Sequence, residues 1–542
     1  MSTFLYTLLG LTVGSSLHCA VRREISPCAC RTHEAIGTVA VACERMTSFA
    51  QVLDALTDKF PADTGISLKI AYSQLDDFSA HNFQQIGIDI LTLKLNHDNL
   101  SSLDESVFNG LNKVEYLSLA DNALPAIPQH VLRHMPLLKT LDLGRSHIRA
   151  VTTTDFQTLS DLQHLVLAGN AIATLEAMSM PHTLRHLHIG RNELTSLNGT
   201  LRGLTELEWL FVNGNLLSSL DDQLPPDGAK LMLIHAAFNK LERLPRELRN
   251  FMLIESLFFQ NNELKNLGGA LQKSRRLRRL DLTHNHIQEL ADDEFQELEV
   301  LEDLQLGHNK LSSLNGSLLP LRGLRSLNLT HNNFKEFSLQ EILGLRRLLI
   351  IDLSSNNISR LSGQMTQNVV DLETRVIELR LEHNSLRALD GALMALHGLQ
   401  RLNLSHNLLE KISPDDLIGL EELRVLDISF NRLTTLEETS KTFLPSLEGL
   451  FASNNLLTSL ERDFHGLPIL CWADISHNQI QYIGRDLVAK TRCRVRGVMA
   501  TLRIYLFENP VQCDANLTDT IISMEANHTK LYGLACDTEN LA

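Results

Sequence analysis

Two histidines stand two residues apart in LRHLHIGRNEL, at His186 and His188, with Leu184, Leu187 and Ile189 between and around them. In an extended strand, residues two apart point to the same side. Two imidazoles facing one way can ligate a metal, move a proton, or form part of a binding surface. His164 and His235 occur in similar short apolar contexts, and Trp209, Phe211 and Phe258 lie in the same region. What these side chains do depends on the elements that hold them.

The chain has 542 residues, more than one compact core of roughly 250–300 residues usually supports. Either several domains or a repeat array is implied. It is 44% hydrophobic but only 5% aromatic, so its apolar content is mostly aliphatic. A net charge of −15 argues against nucleic acid as a partner, which calls for a basic surface.

A period of about 22–25 residues runs through the chain. Clear copies are VEYLSLADNAL from Val114, LQHLVLAGNAI from Leu162, LRRLDLTHNHI from Leu277, LEDLQLGHNKL from Leu301, LQRLNLSHNLL from Leu399 and LRVLDISFNRL from Leu423. Weaker copies begin at Gly65, Leu231, Leu470 and Thr501, and longer units precede Val376 and Thr501. The pattern L-x-x-L-x-L-x-x-N-x-L is the leucine-rich-repeat signature. It predicts an α/β solenoid: a curved horseshoe of about 19 repeats with a parallel concave sheet.

Each position has a physical reason. The L-x-L piece is a strand with its leucines inward. The asparagine that follows (Asn122, Asn170, Asn192, Asn215, Asn239, Asn262, Asn285 and onward) supplies donors and an acceptor to turn backbone inside the coil. Asp98, Ser73 and Ser146 take that place in weaker units. Phe108, Phe156, Phe295 and Phe464 recur in the returning segment and are expected to pack the convex side. The histidine before the asparagine, as at His97, His284, His308 and His331, recurs with the repeat and reads as a turn-surface residue.

The strand residues flanking the second leucine point onto the concave face. Five adjacent strands then place His164, Val166, His186, His188, Trp209, Phe211, Leu233, His235 and Phe258 in one patch about 20 Å wide. Aromatic side chains are frequent anchors of protein interfaces, and an exposed apolar patch marks a binding site. The plainer alternative is that these rings only cover the sheet. No fourth ligand for a metal is visible, so no metal and no cofactor is expected. The later strands are more charged, from Arg279 and Asp281 to Trp472, Asp474, Arg503 and Tyr505.

The apolar run Phe4–Val13 resembles a signal-peptide core, with cleavage expected before Leu17, hence a secreted, extracellular protein. No later segment is apolar enough to span a membrane. Cys19, Cys28, Cys30 and Cys43 cluster near the start, and Cys471, Cys493, Cys513 and Cys536 near the end. In an oxidising compartment they read as staples for both ends of an array whose terminal repeats need caps. TSFAQVLDALTDKF, Thr47–Phe60, has the apolar period of a short helix. The resulting division is a signal segment 1–16, an N-terminal cap 17–64, repeats 65–511 and a C-terminal cap 512–542.

The sequence resembles extracellular leucine-rich-repeat proteins with cysteine-rich flanks over essentially the whole mature chain. The head CAVRREISPCAC with Cys43 and KFP at Lys59–Pro61 looks most like secreted arthropod members, a set that includes proteins similar to the non-catalytic leucine-rich subunit of a shrimp luciferase complex. The resemblance implies pairing of Cys19 with Cys30 and Cys28 with Cys43. ENPVQCDANL resembles the usual C-terminal cap motif, but Ala515 stands where a cysteine is typical. It implies Cys513–Cys536, and Cys471 and Cys493 remain for each other. It also implies a binding or scaffold role without naming the partner.

Glycosylation signals occur at Asn99, Asn198, Asn315, Asn328, Asn357, Asn403, Asn516 and Asn527. Asn328 and Asn403 fall on the concave face, where glycans would obstruct the later strands and leave the aromatic patch clear. The basic stretches Lys273–Arg279 and Arg485–Arg496 suit a sulfated glycan, though on so acidic a chain a solvated edge is the simpler reading. No glycine-rich phosphate loop, H-E-x-x-H or G-x-S-x-G is present, so no enzyme is expected. The function expected is secreted recognition of a protein ligand or receptor on the concave face, with innate immunity as one setting. An extracellular-matrix or adhesion scaffold, or a non-catalytic subunit of a secreted enzyme complex, is the alternative.

Overall fold

The computed structural model describes residues 24–32, 39–61, 64–226, 230–363, 375–437 and 441–534. Two compact units divide the chain, Met1–Leu257 and Phe258–Ala542. Both are leucine-rich-repeat coils built on a parallel sheet.

In the first unit, Ala29–Thr32 pairs antiparallel with Val39–Glu44, which pairs parallel with Gly65–Ala71. The sheet therefore begins two strands before the first recognisable repeat, which starts at Gly65. It continues in parallel through Asp89–Asn96, Tyr116–Ser118, Thr140–Asp142, His164–Val166, His186–His188, Trp209–Phe211 and Leu233–His235. Most of these strands are three residues long, with the central leucine or isoleucine buried and its neighbours on the open face.

The helix Phe49–Leu56 covers the start of this unit. Its buried positions Phe49, Val52, Leu53 and Leu56 follow helical spacing. Ser48 caps it by accepting the Gln51 N–H. The Asp77 carboxylate, from the next turn of chain, accepts the N–H groups of Phe49 and Ala50 at 2.6 and 2.9 Å, where the helix dipole favours an anion. Phe49 meets Phe78 and Phe83 edge-on, so an aromatic plug closes the apolar end that a bare repeat would expose.

The second unit repeats the scheme through Arg279–Asp281, Asp303–Gln305, Ser326–Asn328, Ile350–Asp352, Glu378–Arg380, Arg401–Asn403, Val425–Asp427, Gly449–Phe451, Trp472–Asp474 and Leu502–Tyr505. A further strand, Thr529–Tyr532, adds in parallel to Leu502–Tyr505 and lies past the last legible repeat. The helix Ala515–Ala526 leads into it.

The asparagines form the expected ladder. Asn309 Nδ2 donates to the carbonyls of Leu282, Leu306 and Gly307, and its Oδ1 accepts the Ile287 N–H at 3.0 Å. Asn122 and Asn455 do the same in their own units. One side chain thus joins two turns of the coil. The residue before it has left-handed backbone, as at His284, His308 and His331, which lets the chain turn off the strand. Phe108, Phe156, Phe295 and Phe464 are buried on the returning side.

Disulfides join Cys28 to Cys43 and Cys471 to Cys493. Cys30 and Cys513 are also disulfide-bonded. Cys19, Cys536 and the segment 1–16 lie outside the described residues. Among the described residues, no helix is long and apolar enough to cross a membrane.

Candidate binding face

The register of four parallel strands fixes where the singled-out side chains of the first unit stand. His164, His186, Trp209 and Leu233 are successive partners in one row. Val166, His188, Phe211 and His235 form the next row. Between the rows the buried residues Leu165, Leu187, Leu210 and Ile234 anchor the strands in the core. Sequence alternation alone therefore puts eight of the nine residues on one open face, and the parallel register brings them side by side. Phe258, half-buried at the end of the strand Ser256–Phe258, is the first residue of the second unit.

Within the first row the contacts are close. His164 Nδ1 and His186 Nδ1 are 2.8 Å apart, so one imidazole donates its proton to the other. The His186 ring lies flat on Trp209, with centroids 4.1 Å apart and planes 2° from parallel. Trp209 remains 41% exposed. In the second row, Phe211 stands between His188 at 5.1 Å and His235 at 6.0 Å. The face thus carries two runs of neighbouring rings, His164–His186–Trp209 and His188–Phe211–His235, with the indole partly open to solvent.

The charges around it were not anticipated. Glu208 Oε2 lies 3.8 Å from His186 Nε2, and Arg185 lies 3.6 Å from Glu208. Both residues directly precede a strand of the patch, which places them on its rim. The repeat pattern marks that position only as variable, so nothing in the spacing distinguished them.

Burial holds the His164, His186 and His188 imidazoles below their ordinary value of 6.5. The neighbouring His164 lowers His186 further, and His235 lowers His188, because a second positive charge is disfavoured so close to the first. Glu208 opposes the shift at His164 and His186. At neutral pH the rings are uncharged, which suits stacking and a shared proton between the two Nδ1 atoms. Among the described residues, no group of three or more His, Cys, Asp or Glu side chains is arranged to hold a metal ion.

The expected glycosylation sites differ in how free their amides are. Asn99 and Asn357 are exposed. Asn328 sits on a strand of the second unit and donates to Gln305 Oε1 at 2.9 Å. Asn198, Asn315 and Asn527 donate Nδ2 to the carbonyls of Leu175, Leu290 and Ser523. Asn403 accepts the Ser405 N–H, and Asn516 lies 3.3 Å from Asp514.

The leucine rich repeat family model matches residues 90–148, 275–334, 374–433 and 421–480. Among curated proteins, the human Podocan-like protein 1 is 32% identical over 133 residues, covering 24% of this chain and 25% of that protein. Mimecan from Gallus gallus is 31% identical over 115 residues, covering 20% of this chain and 37% of its own length. The chain thus spans a quarter to about a third of these relatives. Among solved structures, the glycosylated Toll–Spatzle complex of Drosophila matches with a TM-score of 0.70 at 19% identity, over 91% of this chain and 68% of the other. The plant peptide hormone receptor RGFR1 in complex with RGF2 matches at 0.59 and 19% identity, over 91% and 85%. At such identities these likenesses concern the fold. Repeat period, asparagine ladder, strand register and the matched segments all agree that the chain has the leucine-rich-repeat fold.

Proposed function

We propose that this is a secreted, extracellular recognition protein without catalytic activity, whose first unit binds a protein ligand on the face made by His164, His186, His188, Trp209 and Phe211. The observation that carries this reading is the exposed indole of Trp209, held flat by His186 in a row of rings that no other part of the described first unit covers. A rigid, pre-stacked aromatic loses little side-chain freedom on binding, which is what an interface anchor needs. Solved neighbours of this fold include complexes named for Toll with Spatzle and for a plant receptor with RGF2, so a protein or peptide ligand is a use the fold supports. A leader ending at residue 16, an N-terminal cap to 64, repeats to 511 and a C-terminal cap beyond complete the reading. The Asn99 and Asn357 signals are the best placed for glycans.

Affinity capture from the native extracellular fluid tests this, with the Trp209→Ala/Phe211→Ala protein as control. The expected result is a partner retained by the parent and lost by the variant, with both proteins equally folded by circular dichroism. A partner held equally by both would place the binding surface elsewhere. Recovery of the protein mainly from insoluble material would favour a matrix scaffold. Co-purification of an enzymatic activity that the isolated chain lacks would favour a non-catalytic subunit of a secreted enzyme complex.

A further inference from the structure

The last strands of the second unit carry another set of rings, and their surroundings differ from those in the first. Trp472, Arg503 and Lys530 are successive partners in one row of the parallel sheet, and Asp474, Tyr505 and Tyr532 form the next. The Trp472 ring meets Tyr505 at 4.5 Å, and Tyr505 stacks on Tyr532 at 5.1 Å with planes 15° apart. On the other side, the partner of Trp472 in the row is Gly449, which has no side chain to lay against the indole. Trp472 is left 37% exposed.

A hairpin is tied to this row. Arg494–Val495 pairs antiparallel with Val498–Met499. Cys493, just before the hairpin, is bonded to Cys471, just before Trp472. The Cys493 carbonyl accepts the Ala500 N–H, and the Cys471 carbonyl accepts the Arg503 N–H, both at 3.0 Å. The hairpin base is therefore fixed at the edge from which the Trp472 strand begins. Its side chains contribute nothing to the core: Val495, Val498 and Met499 are 56%, 69% and 45% exposed. Aliphatic groups held out on a stapled two-residue-per-strand hairpin are a surface feature that folding alone does not explain.

The charges are mostly positive, with the Asp474 carboxylate beside them accepting the Ser476 N–H. Arg494, Arg496, Arg503 and Lys530 are exposed, and none of them makes an ion pair among the described residues. A surface with free cations, an open indole and projecting aliphatic side chains is complementary to a ligand that is both anionic and apolar.

We propose that this end of the second unit docks an acidic, partly apolar polypeptide segment of a partner protein. A sulfated saccharide would satisfy the cations but would leave Val495, Val498 and Met499 in water. A polypeptide carrying glutamates beside leucines satisfies both. The inference does not rest on the face in the first unit.

The chain holds two tryptophans, Trp209 and Trp472, so a full-length Trp209→Phe protein reports on Trp472 alone. Its emission is followed on titration with a short peptide alternating glutamate and leucine, with a lysine–leucine peptide and a heparin oligosaccharide as separate arms. The expected result is a saturable change with the glutamate–leucine peptide that weakens with added salt. Its Kd should rise roughly tenfold or more in Val495→Ser/Val498→Ser and in Arg494→Glu/Arg496→Glu, substitutions at exposed positions that leave the fold intact. Equal binding of the lysine–leucine peptide, heparin binding that ignores the valines while the acidic peptide fails, or no saturable change with the acidic peptide would each overturn the proposal.

Discussion

Single residues carry two opposite pH dependences. His164, His186 and His188 have imidazoles that titrate below 6.5, so the unfolded chain takes up protons before the folded one as pH falls. Their stabilising contribution is complete above the unfolded value and is lost as pH falls from about 6.5 toward the folded values. Acidification from pH 7.5 to 5 should therefore lower the amide protection factors, taken against the intrinsic exchange rates at each pH, in the strands His164–Val166 and His186–His188. Replacing His164 and His186 by Asn should flatten that response; an unchanged profile would show that the pair is not its source. Asp98 behaves the other way. Burial pushes its carboxyl up to about 6, against the lowering effect of the Ser73 N–H. A raised carboxyl pKa stabilises at low pH, and the contribution is lost as pH rises through about 6. Asp98 stands in the asparagine ladder, where its Oδ2 is buried without a partner. Asp98→Asn should then stabilise the first unit at pH 7.5 by about 1–3 kcal/mol and give little change at pH 4, read by denaturant titration at both values.

At the scale of the element, the strand and its asparagine turn form one unit of stability. Asn309 joins Leu282 in one coil to Leu306 in the next through a single amide. Asn309→Ala leaves several buried backbone groups unpaired and should cost about 2–4 kcal/mol, with the loss of exchange protection centred on Asp303–Gln305 and its neighbours. Leu187 is fully buried between His186 and His188. Leu187→Ala should cost about 2–5 kcal/mol and also release the His186–Trp209 stack, seen as a shift in Trp209 emission. Glycan occupancy is also set by the element. Mass spectrometry of protein from a secretory host should find Asn99 and Asn357 more fully occupied than Asn328, whose amide the neighbouring strand holds through Gln305.

On the scale of the molecule, a chain of neighbour-only contacts stays ordered only if its ends are closed. The first unit is closed by the helix Phe49–Leu56, the aromatic plug and the Cys28–Cys43 bond. Cys28→Ala/Cys43→Ala should destabilise that end by roughly 2–4 kcal/mol, with exchange rising first in Val39–Glu44 and falling off along successive repeats. A uniform loss would contradict repeat-by-repeat coupling. The sequence by itself determined the coil. Leucines at a fixed spacing can be buried only by stacking, and strand alternation then decides which residues face outward, as His186, His188, Trp209 and Phe211 do. It also determined the ladder, because a buried turn needs an amide at one place in every repeat. Only the tertiary structure decided what the exposed residues do to one another. The proton shared between His164 and His186, the indole lying on His186, Glu208 at the rim and the strand Thr529–Tyr532 all depend on rotamers and pairings between coils. The repeat holds each strand to the next through its buried side, so positions on the open side are free to vary, and a pattern of period constrains where they stand without fixing which neighbours they touch.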